Sequence, residues 1–351
     1  MVGHLFRCLW FLSLMATVKM AFEEKYTIVS KGSYNLSCDA SPDQLRTGIH
    51  WRLDGVPITK NAHSNELSLE VTDRPDAGNY SCHANNTAEL LKHYYILIDV
   101  GREPDKILTQ ENGNYITCHA ERFGGIFTCS WKMREKAVFS ASYHREGWNG
   151  HSKDCVLTPC KTSDCTFQAS CTDQSFSPYA EELRQITFNV EAATTKRYEK
   201  HTKHFYIRDI LKPAAPKKLT TISENLKLKI DWQYPDSWNS PHSYFPLMSQ
   251  VSIELTSRNG KRKKYTKTKD SPAKVLIPCR NETGVPHQLK HHQNINCFTE
   301  SSNVEISVNK KSHKSYRICV RVKELFFNST WSEPTCINHQ TMAIKWFEEL
   351  T

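Results

Sequence analysis

Beyond Ala21 the sequence has no apolar run approaching the roughly 20 residues that a membrane span requires, so no membrane insertion is expected. It also lacks a Gly-x-Ser-x-Gly elbow, a phosphate-cradling glycine loop and a His-Glu-x-x-His pair, and so offers no nucleophile-and-base set on which to build an enzyme. No Cys-x-x-Cys element occurs, and His291 and His292 are adjacent rather than helically spaced; neither a metal nor any other cofactor is expected. Nucleic-acid recognition modules are missing as well. Catalysis, nucleic-acid binding and membrane insertion are therefore set aside.

What is present points to export. Arg7 precedes the apolar run Leu9 to Ala16 and small, mixed residues follow, so residues 1–21 read as a secretory signal peptide. Of thirteen cysteines, Cys8 lies in that leader and twelve remain, an even number that fits a disulfide framework in an oxidising compartment. Asn35, Asn79, Asn85, Asn281 and Asn328 each head an Asn-x-Ser/Thr sequon, as in a glycosylated secreted chain. The formal charge of +9 is concentrated: Lys217, Lys218, Lys227 and Lys229 precede the run Lys261, Arg262, Lys263 and Lys264. For a secreted protein the matching polyanion is sulfated glycan such as heparan sulfate. A solvated hairpin whose lysines discourage edge pairing explains the same residues.

Alternating apolar residues and turn signals divide the chain into three β-domains, an all-β architecture, with a tail over 340–351. The first spans 22–100. Cys38 ends an alternating strand, Trp51 follows in the next, and Asp76 to Cys82 carries Tyr80 two places before the second cysteine. In an immunoglobulin sandwich the two cysteines bridge the sheets, the tryptophan packs on the bridge and the tyrosine makes a corner hydrogen bond. The second domain spans 102–211, with Cys155, Cys160, Cys165 and Cys171 placed to close one large and one small loop. The third covers 213–339. Its strand Tyr316 to Lys323 puts Ile318, Val320 and Val322 on one face and Arg317, Cys319, Arg321 and Lys323 on the other.

Between the second and third domains, Phe205 to Leu211 reads as an apolar strand-like run that stops at Pro213 and Pro216. Strands follow at 217–222 and 226–232, and Tyr234 to Pro241 is a long turn carrying aromatics. Rings at such an elbow are either a docking surface or the packing of the junction itself.

Several of these stretches carry a resemblance. Cys118, Gly124-Gly125, and Cys129-Ser-Trp131 resemble the first module of haematopoietic cytokine receptors, in which a disulfide joins neighbouring strands. Trp331-Ser332 resembles the start of a Trp-Ser-x-Trp-Ser motif, although Pro334 and Thr335 occupy its second half; the likeness implies cation–π stacking of Trp331 on Arg321 and Arg317. With Phe205 to Pro213, Trp232 to Trp238 and Ser240 to Phe245, the chain resembles the beta subunits of the interleukin-12 family, soluble class I cytokine-receptor-like chains. That implies an immunoglobulin-like domain followed by two fibronectin type III modules, a four-helix-bundle cytokine subunit as partner, and recognition of the pair by a cell-surface cytokine receptor.

The resemblance further implies a partner-binding pocket in which an arginine of the helical subunit meets Glu324, ringed by Phe123, Tyr244, Phe245, Phe326 and Phe327. The family cysteine that bridges to the partner is replaced by Ser177. Cys160 and Cys165 either bridge each other, leaving a non-covalent heterodimer, or one takes over the linkage; parity favours the former. In the third domain the resemblance pairs Cys279 with Cys336, leaving Cys297 with Cys319; local closure, Cys279 with Cys297 and Cys319 with Cys336, stands beside it. Two other classes remain in view, a soluble receptor alpha-like chain and a glycan-binding adhesion protein.

Overall fold

The computed structural model describes residues 26–59, 64–101, 105–147, 152–161, 166–175, 182–224, 227–238, 245–256, 277–279, 295–307, 315–327 and 329–340. The expected signal peptide, the tail beyond residue 340, Cys165, Ser177, Tyr244, Asn281, Asn328 and the Lys261–Lys264 run lie outside them. The chain forms two compact units. The first comprises Met1–Thr117, Cys129–Cys171 and Ile186–His204; the second comprises Cys118–Thr128, Thr172–Gln185 and Phe205–Thr351.

In the first unit the immunoglobulin set assembles as its spacing predicts. Cys38 and Cys82 form a disulfide, Trp51 sits opposite Cys82 in the ladder and is fully buried, and the Tyr80 hydroxyl donates to the Asp76 carbonyl at 2.7 Å. These residues join Val29, Leu36, Ile49, Leu67, Val71 and Ile96 in one core. The strands Ile49–Leu53, Gly78–Ala84 and Leu90–Asp99 lie side by side in a nine-stranded sheet. That sheet continues through a parallel pairing of Arg197 and Tyr198 with Ile98 and Asp99. The start of the second domain is held by Glu199, a fully buried carboxylate that accepts from the backbone N–H groups of Ile107 and Leu108 and pairs with His201. Its unfavourable burial is offset by those donors.

The second unit contains a three-stranded sheet, Lys217–Glu224, Lys227–Gln233 and Asn303–Ser307, and a five-stranded one. The latter runs Ile277–Pro278, Ile295–Thr299, Leu247–Thr256, Ser315–Glu324, Thr335–Gln340. Both contribute alternate residues to one core: Leu228, Ile230 and Trp232 from one sheet, Val251, Ile253, Ile318 and Val320 from the other. The expected strands at 217–222 and 226–232 are found, at 217–224 and 227–233. The run Phe205 to Leu211 is not a strand throughout: the strand ends at Phe205 and Ile207–Ile210 is a 3-10 turn. Two carboxylates shape it, one near and one distant in sequence: that of Asp209 accepts from the Tyr206 N–H and that of Glu182 from the Ile207 N–H.

Disulfides correct the pairing taken from resemblance. Cys279 is joined to Cys297 and Cys319 to Cys336, not Cys279 to Cys336. Register explains it: Cys319 and Cys336 face each other across adjacent strands, and Ile277 and Pro278 pair with Cys297 and Phe298. Cys155 is joined to Cys171, and Cys118, Cys129 and Cys160 are also disulfide-bonded.

Candidate functional site

The site is built on the end of the strand Ser315–Glu324. Its residues alternate between half-buried and buried, and Glu324 falls in phase with Tyr316, Ile318, Val320 and Val322. The inward phase carries this acid out of water altogether: Glu324 is 0% exposed. Oε1 accepts from the N–H of Phe326 at 2.8 Å and Oε2 from that of Phe327 at 2.6 Å, while the Glu324 N–H donates to Ser329 Oγ at 2.8 Å. A carboxylate so placed closes the turn 325–327 upon itself. The expectation placed this acid among rings to receive a partner's arginine; in the structure both of its oxygens are bonded to the turn's own backbone. The physical reason is the two-residue period of the strand, which points position 324 into the fold.

The closed turn throws its two rings outward. Phe326 is 64% exposed and Phe327 46%. Beneath them lies an aromatic stack: Phe123 packs on Phe245 with centroids 3.9 Å apart and meets Trp238 edge-on at 6.2 Å, and Phe327 stands about equally far from Phe123 and Phe245, at 6.0 and 6.1 Å. Phe123 and Trp238 are buried, and the indole N–H of Trp238 donates to the Phe245 carbonyl at 3.1 Å. Backbone bonds between Ala120 and the ends of the 3-10 turn, from Ala120 N to Ile210 O and from Lys212 N to Ala120 O, hold the Phe123 segment in place. Of the expected site residues the structure therefore brings together Phe123, Phe245, Glu324, Phe326 and Phe327.

Three participants escaped the sequence reading. Tyr206 and Arg208 come from the 3-10 turn: the Arg208 guanidinium lies 4.0 Å from the centre of the Tyr206 ring and 5.8 Å from that of Phe327. Glu182, from the segment Thr172–Gln185, accepts from the N–H groups of Ile207 and Arg208 through its carboxylate and from the Arg208 guanidinium through its carbonyl. Their signal was the Phe-Tyr-Ile-Arg-Asp string itself, since a lone arginine and an aspartate in an apolar run need partners.

The Trp331 site is displaced from expectation. Arg321 lies over the indole at 4.8 Å and the second cation is Lys323, at 5.1 Å. Arg317 instead points at Cys336 Sγ. Ser332 N–H bonds to the Val322 carbonyl, which sets Trp331 beside the 321–323 end of the strand, and Arg317 is a further four residues, about 13 Å, away. Of the sequons, Asn35 and Asn85 are exposed and Asn79 is half-buried. Among the described residues no cluster of His, Cys, Asp or Glu could hold a metal ion, and no helix is long and apolar enough to cross a membrane.

A family model described as cytokine interleukin-12p40 C-terminus matches residues 113–194, and an immunoglobulin-domain model matches residues 25–90. The chain is similar to the interleukin-12 subunit beta of Homo sapiens, 27% identical over 290 residues that cover 78% of this chain and 86% of the relative. It is also similar to that of Equus caballus, 26% identical over 356 residues covering 92% and 95%, and to that of Sus scrofa, 28% over 300 residues covering 80% and 81%. The all-β chain, with an N-terminal region matched by the immunoglobulin-domain model, a second region matched by the interleukin-12p40 C-terminus model, and several disulfides, is thus similar to the interleukin-12 p40-like family of non-enzymatic cytokine subunits.

Proposed function

We propose that this chain is the secreted beta subunit of a heterodimeric cytokine of the interleukin-12 and interleukin-23 type. It binds a four-helix-bundle alpha subunit, and the pair engages a cell-surface cytokine receptor. The observation that carries the reading is the pair Phe326 and Phe327, exposed on a turn whose backbone is tied down by Glu324, with Phe327 backed by Phe123 and Phe245. Rigid aromatic anchors on a packed base are what a protein-docking hot spot consists of. Tyr244, which precedes Phe245 in the chain, enters this reading only as the resemblance implies it. Glu324 enters this reading as the residue that shapes the turn, with its carboxylate screened behind the rings.

The division into a signal peptide and modules at 22–100, 102–211 and 213–339 belongs to the same proposal. So does a non-covalent heterodimer: every described cysteine is disulfide-bonded, and a bridge between Cys160 and Cys165, which is part of this proposal, leaves no thiol for the partner. A sulfated-glycan site at Lys261, Arg262, Lys263 and Lys264 is an additional surface on this view, and not the principal function.

The test is co-expression with the four-helix-bundle cytokine subunits of the same organism. Wild-type chain is expected to leave the cell in a complex with one of them that runs as separate bands on non-reducing gels. The Phe326→Ser, Phe327→Ser double variant, secreted normally on its own, is expected to lose it. A complex that survives this double substitution unchanged removes the docking site.

A further inference from the structure

The electrostatics of the docking surface run opposite to what an open acid at position 324 implies. Three carboxylates surround it, and the main chain occupies all three. Glu324 accepts from the N–H groups of Phe326 and Phe327, Glu182 from those of Ile207 at 2.9 Å and Arg208 at 3.4 Å, and Asp209 from that of Tyr206 at 3.0 Å. Each acid organises backbone: Glu324 is fully buried, Glu182 half-buried and Asp209 exposed. The charge that lies among the rings is a cation. Arg208 is half-buried, its guanidinium held flat against Tyr206 and directed toward Phe327, and its Nη1 donates to the Glu182 carbonyl at 3.0 Å. Among the described residues the partners of its guanidinium are thus ring faces and one neutral carbonyl.

A guanidinium presents five N–H donors in a fixed plane, and one bond to a carbonyl leaves most of that fork available. When a partner covers Phe326 and Phe327 it also strips water from this cation. A desolvated charge without a counter-ion is strongly unfavourable, whereas a carboxylate docked side-on to the fork makes a bidentate pair. Leu183, 75% exposed and next in the chain to Glu182, is an exposed apolar residue of the same segment.

The geometry points to Arg208 as the specificity-determining cation of this surface: it takes an aspartate or glutamate carried on an apolar helix face of the partner subunit. This rests on the docking reading above and specifies the chemistry of the same site. The matching helix carries apolar side chains at one-turn spacing for Phe326, Phe327 and Leu183, with a single acid among them.

The test uses the helical subunit found co-secreted with the wild-type chain. Its affinity is measured by calorimetry for Arg208→Gln, Arg208→Lys, Arg208→Glu and Phe327→Ala, with the thermal unfolding of each free variant as a control for folding. Arg208→Gln is expected to weaken binding roughly 30-fold or more, Arg208→Lys less, and Arg208→Glu most. An acid-to-arginine substitution on the partner is expected to recover binding to Arg208→Glu, a result that a merely loosened turn would not produce. Unchanged affinity in Arg208→Gln together with a loss in Phe327→Ala overturns the inference and leaves the docking site standing. Unchanged affinity in both overturns the docking site as well. A wild-type chain that covers this face only with a second copy of itself also overturns the inference.

Discussion

Replacing Glu324 by glutamine separates an acid that shapes its own turn from an acid that waits for a partner. In the structure the carboxylate satisfies two backbone donors, those of Phe326 and Phe327, one on each oxygen. Glutamine keeps one acceptor oxygen and sets an amino group against the second N–H, so one part-buried donor is orphaned. That costs about 1–3 kcal/mol, and alanine, which orphans both, costs roughly twice as much. The loss is local, since Leu325, Thr330 and Ser332 remain stitched to Pro246, Leu211 and Val322. It is therefore best read by hydrogen exchange on the free chain. At about 1–3 kcal/mol, the amides of Phe326 and Phe327 are expected to exchange roughly 5- to 150-fold faster in Glu324→Gln than in wild type, with Leu325 and the rest of the strand Ser315–Glu324 unchanged. Protection at Phe326 and Phe327 identical to wild type would refute the reasoning, and would return Glu324 to the role of a partner's counter-ion.

Three further outcomes follow from the same physics. Burial works to raise the Glu199 carboxyl, but the hydrogen bond from His201, the Leu108 and Ile107 N–H groups and the His201 charge outweigh it and hold the group below its usual 4.5. A depressed carboxylate contributes stability above the unfolded value that is lost as pH falls, so wild type should lose more stability than Glu199→Gln between about pH 5 and 3 in urea titrations. Trp331→Ala removes two cation–π contacts, with Arg321 and Lys323, and should lower stability by about 1–2 kcal/mol, seen as a shifted denaturation midpoint. Titration of the unreduced, denatured chain with a thiol reagent should find no free thiol, and Cys160→Ser should expose one, on Cys165.

Much of the fold was legible because it rests on side-chain periods and on residues with one structural use. Cys38, Trp51, Tyr80 and Cys82 specify the first domain by spacing alone, and each occupies its expected place. The alternation of Tyr316 to Lys323 predicts the buried face of that strand, and carried one position further it places Glu324 inside. The resemblance likewise put that acid among rings, but gave its oxygens to a partner's arginine rather than to the N–H groups of its own turn. The disulfides of the third domain were not legible, because pairing depends on strand register, and register over long insertions leaves no local mark. Arg208 was missed for a related reason: its meaning comes from Glu182, a residue far away in sequence whose carboxylate bends the chain into a 3-10 turn.

Docking at the aromatic turn is tested most directly by hydrogen exchange of the chain alone against the chain in its secreted complex with a helical subunit. Protection is expected to rise at residues 206–210 and 325–327, around Tyr206, Arg208, Phe326 and Phe327. Protection confined to the immunoglobulin domain, with those two segments exchanging as in the free chain, would contradict it.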